Sequence, residues 1–177
     1  MTPSDIHNRL DERFGSKVIV GLSTDGVDPS IEVCATDIAE VADFLKDDSE
    51  LAFDQLCDLT AVDYLEPDPK KQKSFVHEPH LEVVYQLFSL QRKHRITIKV
   101  KLSRWQHDTP GELPEVDSVS HVWAIADWHE REAFDLLGVR FSGHPNLVRI
   151  LCPDDWVGHP LRKDYEFPLE YHGVRGR

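Results

Sequence analysis

Cysteine is scarce and scattered: Cys34, Cys57 and Cys152 stand far apart, with no CxxC pair. That excludes a disulfide framework, leaves no four-cysteine set for an iron–sulfur cluster, and makes a reducing, cytoplasmic setting the expectation. Glycine-rich phosphate loops are also lacking. With no GxGxxG after a strand and no P-loop, dinucleotide, flavin and nucleotide have no recognisable cradle. No GxSxG occurs, and Cys152 precedes Pro153 without an obvious base, so nucleophilic catalysis has no motif. Apolar runs stay well short of the ~18 residues that a bilayer-spanning helix needs, which implies a soluble or peripheral chain. The opening MTPSDIHNRLDERFG is acid-rich and has no apolar stretch, so neither a secretory signal nor a transit peptide fits it.

Positive charge is in short supply as well. Twenty Lys and Arg face thirty-two Asp and Glu, for a net charge of −12 over 177 residues. The deficit is uneven. From Leu136 onward six basic residues, Arg140, Arg149, Arg162, Lys163, Arg175 and Arg177, meet five acids, Asp154, Asp155, Asp164, Glu166 and Glu170, which leaves about −13 before that point. Such a body repels nucleic acid and anionic lipid. The near-neutral end can enter a protein interface at small desolvation cost.

The length suits one domain. Thr2-Pro3-Ser4-Asp5 reads as a threonine cap, a first-turn proline and an acid at the positive helix end. Ile6, Leu10 and Phe14 share a face of that helix, and Gly15 ends it. Lys17–Leu22 and Ser30–Ala35 read as strands around a turn-rich TDGVDP. Asp37 with Glu40 offers a capping-box start to a second helix, with Ile38, Val41, Phe44 and Leu45 on its apolar face. DLTAVDY reads as a strand, and Glu66–Pro79 as a charged loop with three prolines. Leu81, Val83, Tyr85 and Leu87 alternate with partly apolar neighbours, which predicts a strand buried on both faces. Ile96, Ile98, Val100 and Leu102 alternate with Arg95, Thr97, Lys99 and Lys101, which predicts one buried and one wet face; QRKH closes the hairpin between the two strands. This mixture lacks regular βαβ alternation. It predicts an α+β, two-layer sandwich of helices on a largely antiparallel sheet, comprising a globular domain, 1–139, and an extended C-terminal arm, 140–177.

The most informative stretch runs from Trp123 to Tyr165. Trp123, Ala126, Ala133, Phe134 and Leu137 recur at helical period, and Gly138 follows where a helix commonly stops. Two near-copies of one phrase come next: Gly143-His144-Pro145…Leu147…Arg149, then Gly158-His159-Pro160-Leu161-Arg162. No helix or strand pattern fits this arm. It carries Leu147, Ile150, Leu151 and Trp156, the composition of a segment that lies on something.

EREAFDLLGVRFSGHPNLVRIL followed by DDWVGHPLRKDY resembles the signature of the 30 kDa subunit, or C subunit, of respiratory complex I (NADH:quinone oxidoreductase). Glu130, Arg131, Glu132, Asp135, Gly138, Gly143, His144, Pro145 and Arg149 stand where that motif has them. Asp154, Asp155, Gly158, His159, Pro160, Leu161, Arg162, Lys163 and Asp164 extend the match, and Asp58–Tyr64 looks like a second block. The resemblance is dense over the last third and patchier before it. It implies a cofactor-less peripheral-arm scaffold, with FMN and iron–sulfur clusters in partner subunits, especially D and B. It also implies a place on the cytoplasmic face of a bacterial inner membrane. Partner contacts would then fall on the motif residues together with Trp156 and Tyr165. Membrane-bound hydrogenases and other quinone-reducing dehydrogenases carry homologous subunits, so the electron donor stays open.

Two other readings of the same residues concern chemistry. His129, His144, His159 and His172 with Asp154 and Asp155 could supply metal ligands to a free-standing enzyme. His129-Glu130-Arg131-Glu132 lacks the second histidine of HExxH, however, and His-Pro pairs serve as turn punctuation. Asp127, Arg131 and Asp135, four residues apart, read as a surface ion-pair ladder. Glu130 falls on the apolar stripe, where a carboxylate is costly unless paired. Arg149, Arg162 or an arginine of a neighbouring subunit is the expected partner; a carboxylate that snorkels out at the stripe's edge is the alternative.

Overall fold

A computed structural model describes residues 1–176. Its first helix, α1 (Pro3–Phe14), is capped as the sequence predicts: Thr2 and Asp5 form a reciprocal capping box, and Gly15 follows at the end. Strands β1 (Ile19–Ser23) and β2 (Ser30–Val33) lead to α2 (Ile38–Asp47). Asp37 does not cap α2. Its carboxylate accepts from Thr36 Oγ1 at 2.6 Å, and a short 3-10 turn, Ala35–Asp37, carries the chain into the helix.

Next come β3 (Gln55–Tyr64), a short α3 (Pro69–Gln72) inside the charged loop, β4 (His80–Ser89) and β5 (His94–Leu102). The sheet order is β1-β2-β5-β4-β3, with every pairing antiparallel except β2 with β5. Register puts Leu59, Ala61, Val83, Tyr85, Ile98, Val100 and Ile31 on one face, where they share a single core with Ile6, Leu10, Val41, Leu45 and Ala133 of the helices. This is the two-layer α+β sandwich. The other sheet face, Thr60, Val62, Gln86, Lys101 and their neighbours, stays open or half-covered. β4 is therefore buried on one face rather than two. Glu82, Val84 and Phe88 are half-buried and Gln86 is exposed, because no second layer lies over them.

After β6 (Glu115–Asp117), α4 spans Ala126–Leu137. The apolar period begins earlier, at Trp123, but that residue sits in the turns before the helix and anchors them by donating Nε1–H to Phe53 O at 2.9 Å. β7 (Arg140–Ser142) runs parallel to β6, and a terminal hairpin of β8 (Glu170–Tyr171) and β9 (Val174–Arg175) ends the described chain. Phe141 in β7 is 2% exposed and belongs to the core, so the core continues past Val139 into the segment expected as arm.

Candidate functional site

Helix α4 ends at Gly138, whose φ of +68° is the left-handed conformation a helix stop favours. A side chain there is also excluded by space, since a Cβ would lie 2.5 Å from His159. Beyond β7 the chain turns back and runs across its own helix. The repeated Gly-His-Pro phrases act as two clamps. His144 Nε2 donates to the carbonyl of Asp127 near the start of α4, at 3.1 Å. His159 Nδ1 donates to the carbonyl of Asp135 near its end, at 2.9 Å. Burial pushes the His159 pKa down, which keeps that ring a neutral donor.

Between the clamps, Asp135 organises the strap. One carboxylate oxygen accepts from Arg149 Nη1 at 2.9 Å; the other takes the N–H groups of Ile150, Leu151 and Cys152 at 2.7–3.0 Å. Burial alone would raise its pKa, but the backbone donors of Cys152, Leu151 and Ile150 outweigh it and hold the group below the ordinary carboxylate value. Asp135 is thus fully enclosed, not a rung of a surface ladder. Arg131, the ladder's middle, instead donates Nε–H to Val148 O and lies over Trp128.

Arg162 closes the far end. It is 5% exposed and donates to the carbonyls of Leu137, Gly138 and Arg104, with its guanidinium 4.0 Å from the Trp105 ring centroid. It supplies the last carbonyls of α4 with donors and a positive charge. Burial, then neighbouring Arg104, lowers its pKa to about 10. Arg104 forks Asp63 of β3 and Asp164 of the strap, and Asp63 also accepts the Lys163 N–H.

Glu130 meets neither arginine. Its carboxylate is 0% exposed and accepts from Val119 N at 2.7 Å and Ser118 Oγ at 2.6 Å. The expected pairing with Arg149 or Arg162 fails because both point to the C-terminal half of the helix. His144 Nε2 is 3.9 Å away. Asn146 N–H points at His144 Nδ1, which therefore accepts and leaves the ring proton on Nε2. Burial lifts the Glu130 pKa to about 7, against the pull of Ser118 and Val119.

The remaining motif residues face outward. Gly143, Pro145, Glu132, Asp154 and Leu161 are exposed, and Pro160 is half-buried. Trp156, Tyr165, Phe167 and Tyr171 form an aromatic cluster near the terminal hairpin. Gly158 has a φ of +81°, and a Cβ there would meet the Tyr165 ring at 2.8 Å. Asp155 accepts from Tyr171 Oη and contacts His172. His129 contacts Asp58. The four histidines thus have separate partners, and among the described residues no three His, Cys, Asp or Glu side chains converge on a metal site. Sequence reasoning missed Asp63, Arg104, Trp105 and Ser118 as strap and helix anchors. Asp63 lies in the DLTAVDY block, a usable signal; the others sit in loops whose pattern announces nothing.

The sequence pattern of the family described as "Respiratory-chain NADH dehydrogenase, 30 Kd subunit" matches residues 31–171. Among curated relatives, the C subunit of the NADH-quinone oxidoreductase of Geobacter metallireducens is 43% identical over 93% of this chain and 89% of its own length. The C subunit of the Chloroherpeton thalassium enzyme is 39% identical over 94% of this chain, which spans 62% of that longer protein. A chain in the structure of the membrane-bound sulfane sulfur reductase, an archaeal respiratory membrane complex, shares the fold. Its TM-score is 0.67 at 21% identity, over 92% of this chain and 85% of that one. No helix among the described residues is long and apolar enough to cross a membrane. With its signature residues gathered along one helix and its strap, and relatives above 40% identity over most of its length, the chain belongs to the 30 Kd subunit family of respiratory-chain NADH dehydrogenase.

Proposed function

We propose that this chain is a cofactor-less, peripheral-arm scaffold of a proton-pumping NADH:quinone oxidoreductase on the cytoplasmic face of a bacterial inner membrane. In this reading, electrons pass from NADH through FMN and iron–sulfur clusters held by other subunits to a quinone. This chain contributes by holding together subunits D and B. The observation that carries the proposal is the family match across residues 31–171. The strap adds physical support. Its inner side is taken up by the chain's own helix, while Leu151, Val157, Leu161, Phe167, Leu169 and Val174 remain exposed and available to a partner chain.

The three cysteines lie in different elements, each half-buried or exposed, which is no ligand set for an iron–sulfur cluster. The pure chain is expected to be colourless and unable to oxidise NADH. Affinity purification of the tagged full chain from membranes, followed by mass spectrometry, tests the assignment. Subunits D and B together with an NADH- and FMN-binding subunit are expected. Recovery of a nickel–iron large subunit, or of no partner, overturns it.

A further inference from the structure

The solvent side of α4 carries an apolar ridge. Trp128 is 59% exposed, and Ile125, one turn earlier on the same side, is exposed too. The strap adds Val148, whose carbonyl Arg131 holds, and three residues further along Leu151, both exposed. Arg131 ties helix and strap together at this place. Its Nε–H donates to Val148 O at 3.1 Å, and its guanidinium carbon lies 5.1 Å from the Trp128 ring centroid. That stacking holds the indole in place instead of leaving it to swing free.

The Arg131 fork is uncommitted. Arg9, Arg92, Arg95, Arg104 and Arg149 each meet a carboxylate of this chain, but among the described residues none reaches Arg131. The acids one turn away on its own helix are engaged elsewhere: Asp127 faces His144 Nε2 at 3.4 Å, and Asp135 turns inward to Arg149 and the strap; Glu130 is turned inward to Ser118 and Val119. An exposed indole beside a guanidinium with free donors has the composition of an interface hot spot. Its geometry accepts a carboxylate in two parallel hydrogen bonds.

We infer that Trp128 and Arg131 are the centre of a docking surface for another protein chain. The occupant presents an Asp or Glu carboxylate to Arg131, with apolar side chains covering Trp128, Ile125 and Leu151. This deepens the subunit assignment above and rests on it. Charge complementarity selects the occupant: the ridge offers one open cation in a chain of net charge −12. An anionic lipid surface, which would press many negative charges on the ridge at once, is disfavoured by Asp127 and Glu132 on the same helix, whereas a protein chain can place a single carboxylate at Arg131 and keep the acids clear of other charge.

The test uses the full chain, tagged and replacing the resident copy in membranes, with co-purified subunits quantified by mass spectrometry. Trp128→Ala and Arg131→Gln are each expected to cut recovery of partners roughly tenfold or more. Arg131→Lys is expected to restore part of it, and Val62→Ala, on the open sheet face, to leave it unchanged. Thermal unfolding of the isolated variants separates docking from folding: Trp128 is largely in water, Arg131 is half-buried, and a variant that unfolds at the wild-type temperature reads docking alone. Trp128→p-benzoylphenylalanine, irradiated in the assembled complex, is expected to crosslink to another protein chain on a peptide holding Asp or Glu. Wild-type recovery by both variants, or crosslinks only within this chain or to lipid, overturns the ridge while leaving the subunit assignment intact. Failure of the unaltered chain to recover any partner removes both.

Discussion

Glu130 and Asp135 sit five residues apart on one helix and are equally withdrawn from solvent. Their surroundings drive them in opposite directions. Asp135 gathers an arginine and three backbone N–H groups, and its pKa falls. Glu130 has one backbone N–H, one hydroxyl and a neutral imidazole at longer range, and its pKa rises to about 7. Both are closed to solvent, but Glu130 lies deeper and burial prevails there, whereas at Asp135 the backbone donors outweigh it; depth and donor count together decide the charge state. The strap supplies those donors only at the C-terminal half of α4. That half is a built anchor, whereas the N-terminal half holds a carboxyl group that tolerates being neutral.

The largest effect is expected on removing the anchor. Asp135→Ala strands the Arg149 guanidinium and three N–H groups in a closed site, a loss of about 3–5 kcal/mol by urea denaturation. A loss below ~1 kcal/mol would mean that water replaces the carboxylate and that the two halves of the helix do not differ as described.

Arg162 is the second support of the same half. Arg162→Ala leaves two buried carbonyls and one part-buried carbonyl without their charged donor and is expected to cost about 2–3 kcal/mol. Hydrogen exchange in the last turn of α4 should quicken with it, while Val119 and the first turn stay protected. Uniform deprotection of the helix would contradict a local anchor.

Gly138→Ala is expected to cost about 1–2 kcal/mol, because a φ of +68° strains any side chain. His159 must also move to admit the methyl group, so its hydrogen bond to Asp135 O weakens. An imidazole resonance at 159 unchanged by the substitution would show that the clamp does not depend on the glycine.

The contrast also marks what a sequence discloses. The sheet hairpin, the capped first helix, the end of α4 at Gly138 and the two-layer class all follow from period, caps and turns, which are local and repeat. The strap follows none of these. Its order comes from single long-range bonds: Asp63 and Asp164 to Arg104, Asp135 to Arg149, Arg162 to helix carbonyls. Placing Glu130 on a buried stripe was within reach of the helical period. Its partner was not, because Ser118 and Val119 lie in a loop whose path no pattern fixes. Ion-pair spacing misled at Asp135 for a related reason: four-residue spacing says which residues share a face, not what lies over that face.

The smallest change in stability is expected from Glu130→Gln, and it separates the two carboxylates most sharply. Glutamine keeps the shape: its Oε1 accepts from Val119 N–H, and its Nε2, standing for the second carboxylate oxygen, donates to a Ser118 hydroxyl that turns to accept. At pH 5, where the folded wild type already holds a proton on Glu130, the variant should differ by less than ~1 kcal/mol. The pH dependence should differ more. A carboxyl group whose folded pKa lies above its unfolded one contributes stability that is fully present below the unfolded value, near 4.5, and declines as pH rises towards about 7. Asp135, with its lowered value, contributes in the opposite sense: its stability is present above the unfolded value near 3.8 and is lost as pH falls below it. Wild-type stability measured from about pH 2 to 8 should therefore carry a downward component between 4.5 and 7 that Glu130→Gln removes. The acid-side loss due to Asp135 should survive in that variant. Asp127, His144 and Tyr85 are the other titratable groups around the site, and substituting Glu130 alone leaves them in place. If the glutamine variant retains the same slope between pH 4.5 and 7, the slope does not come from Glu130, which is then ionised throughout. If it loses 3 kcal/mol or more at pH 5, the carboxylate charge is itself structural, and the two ends of α4 are held by the same means.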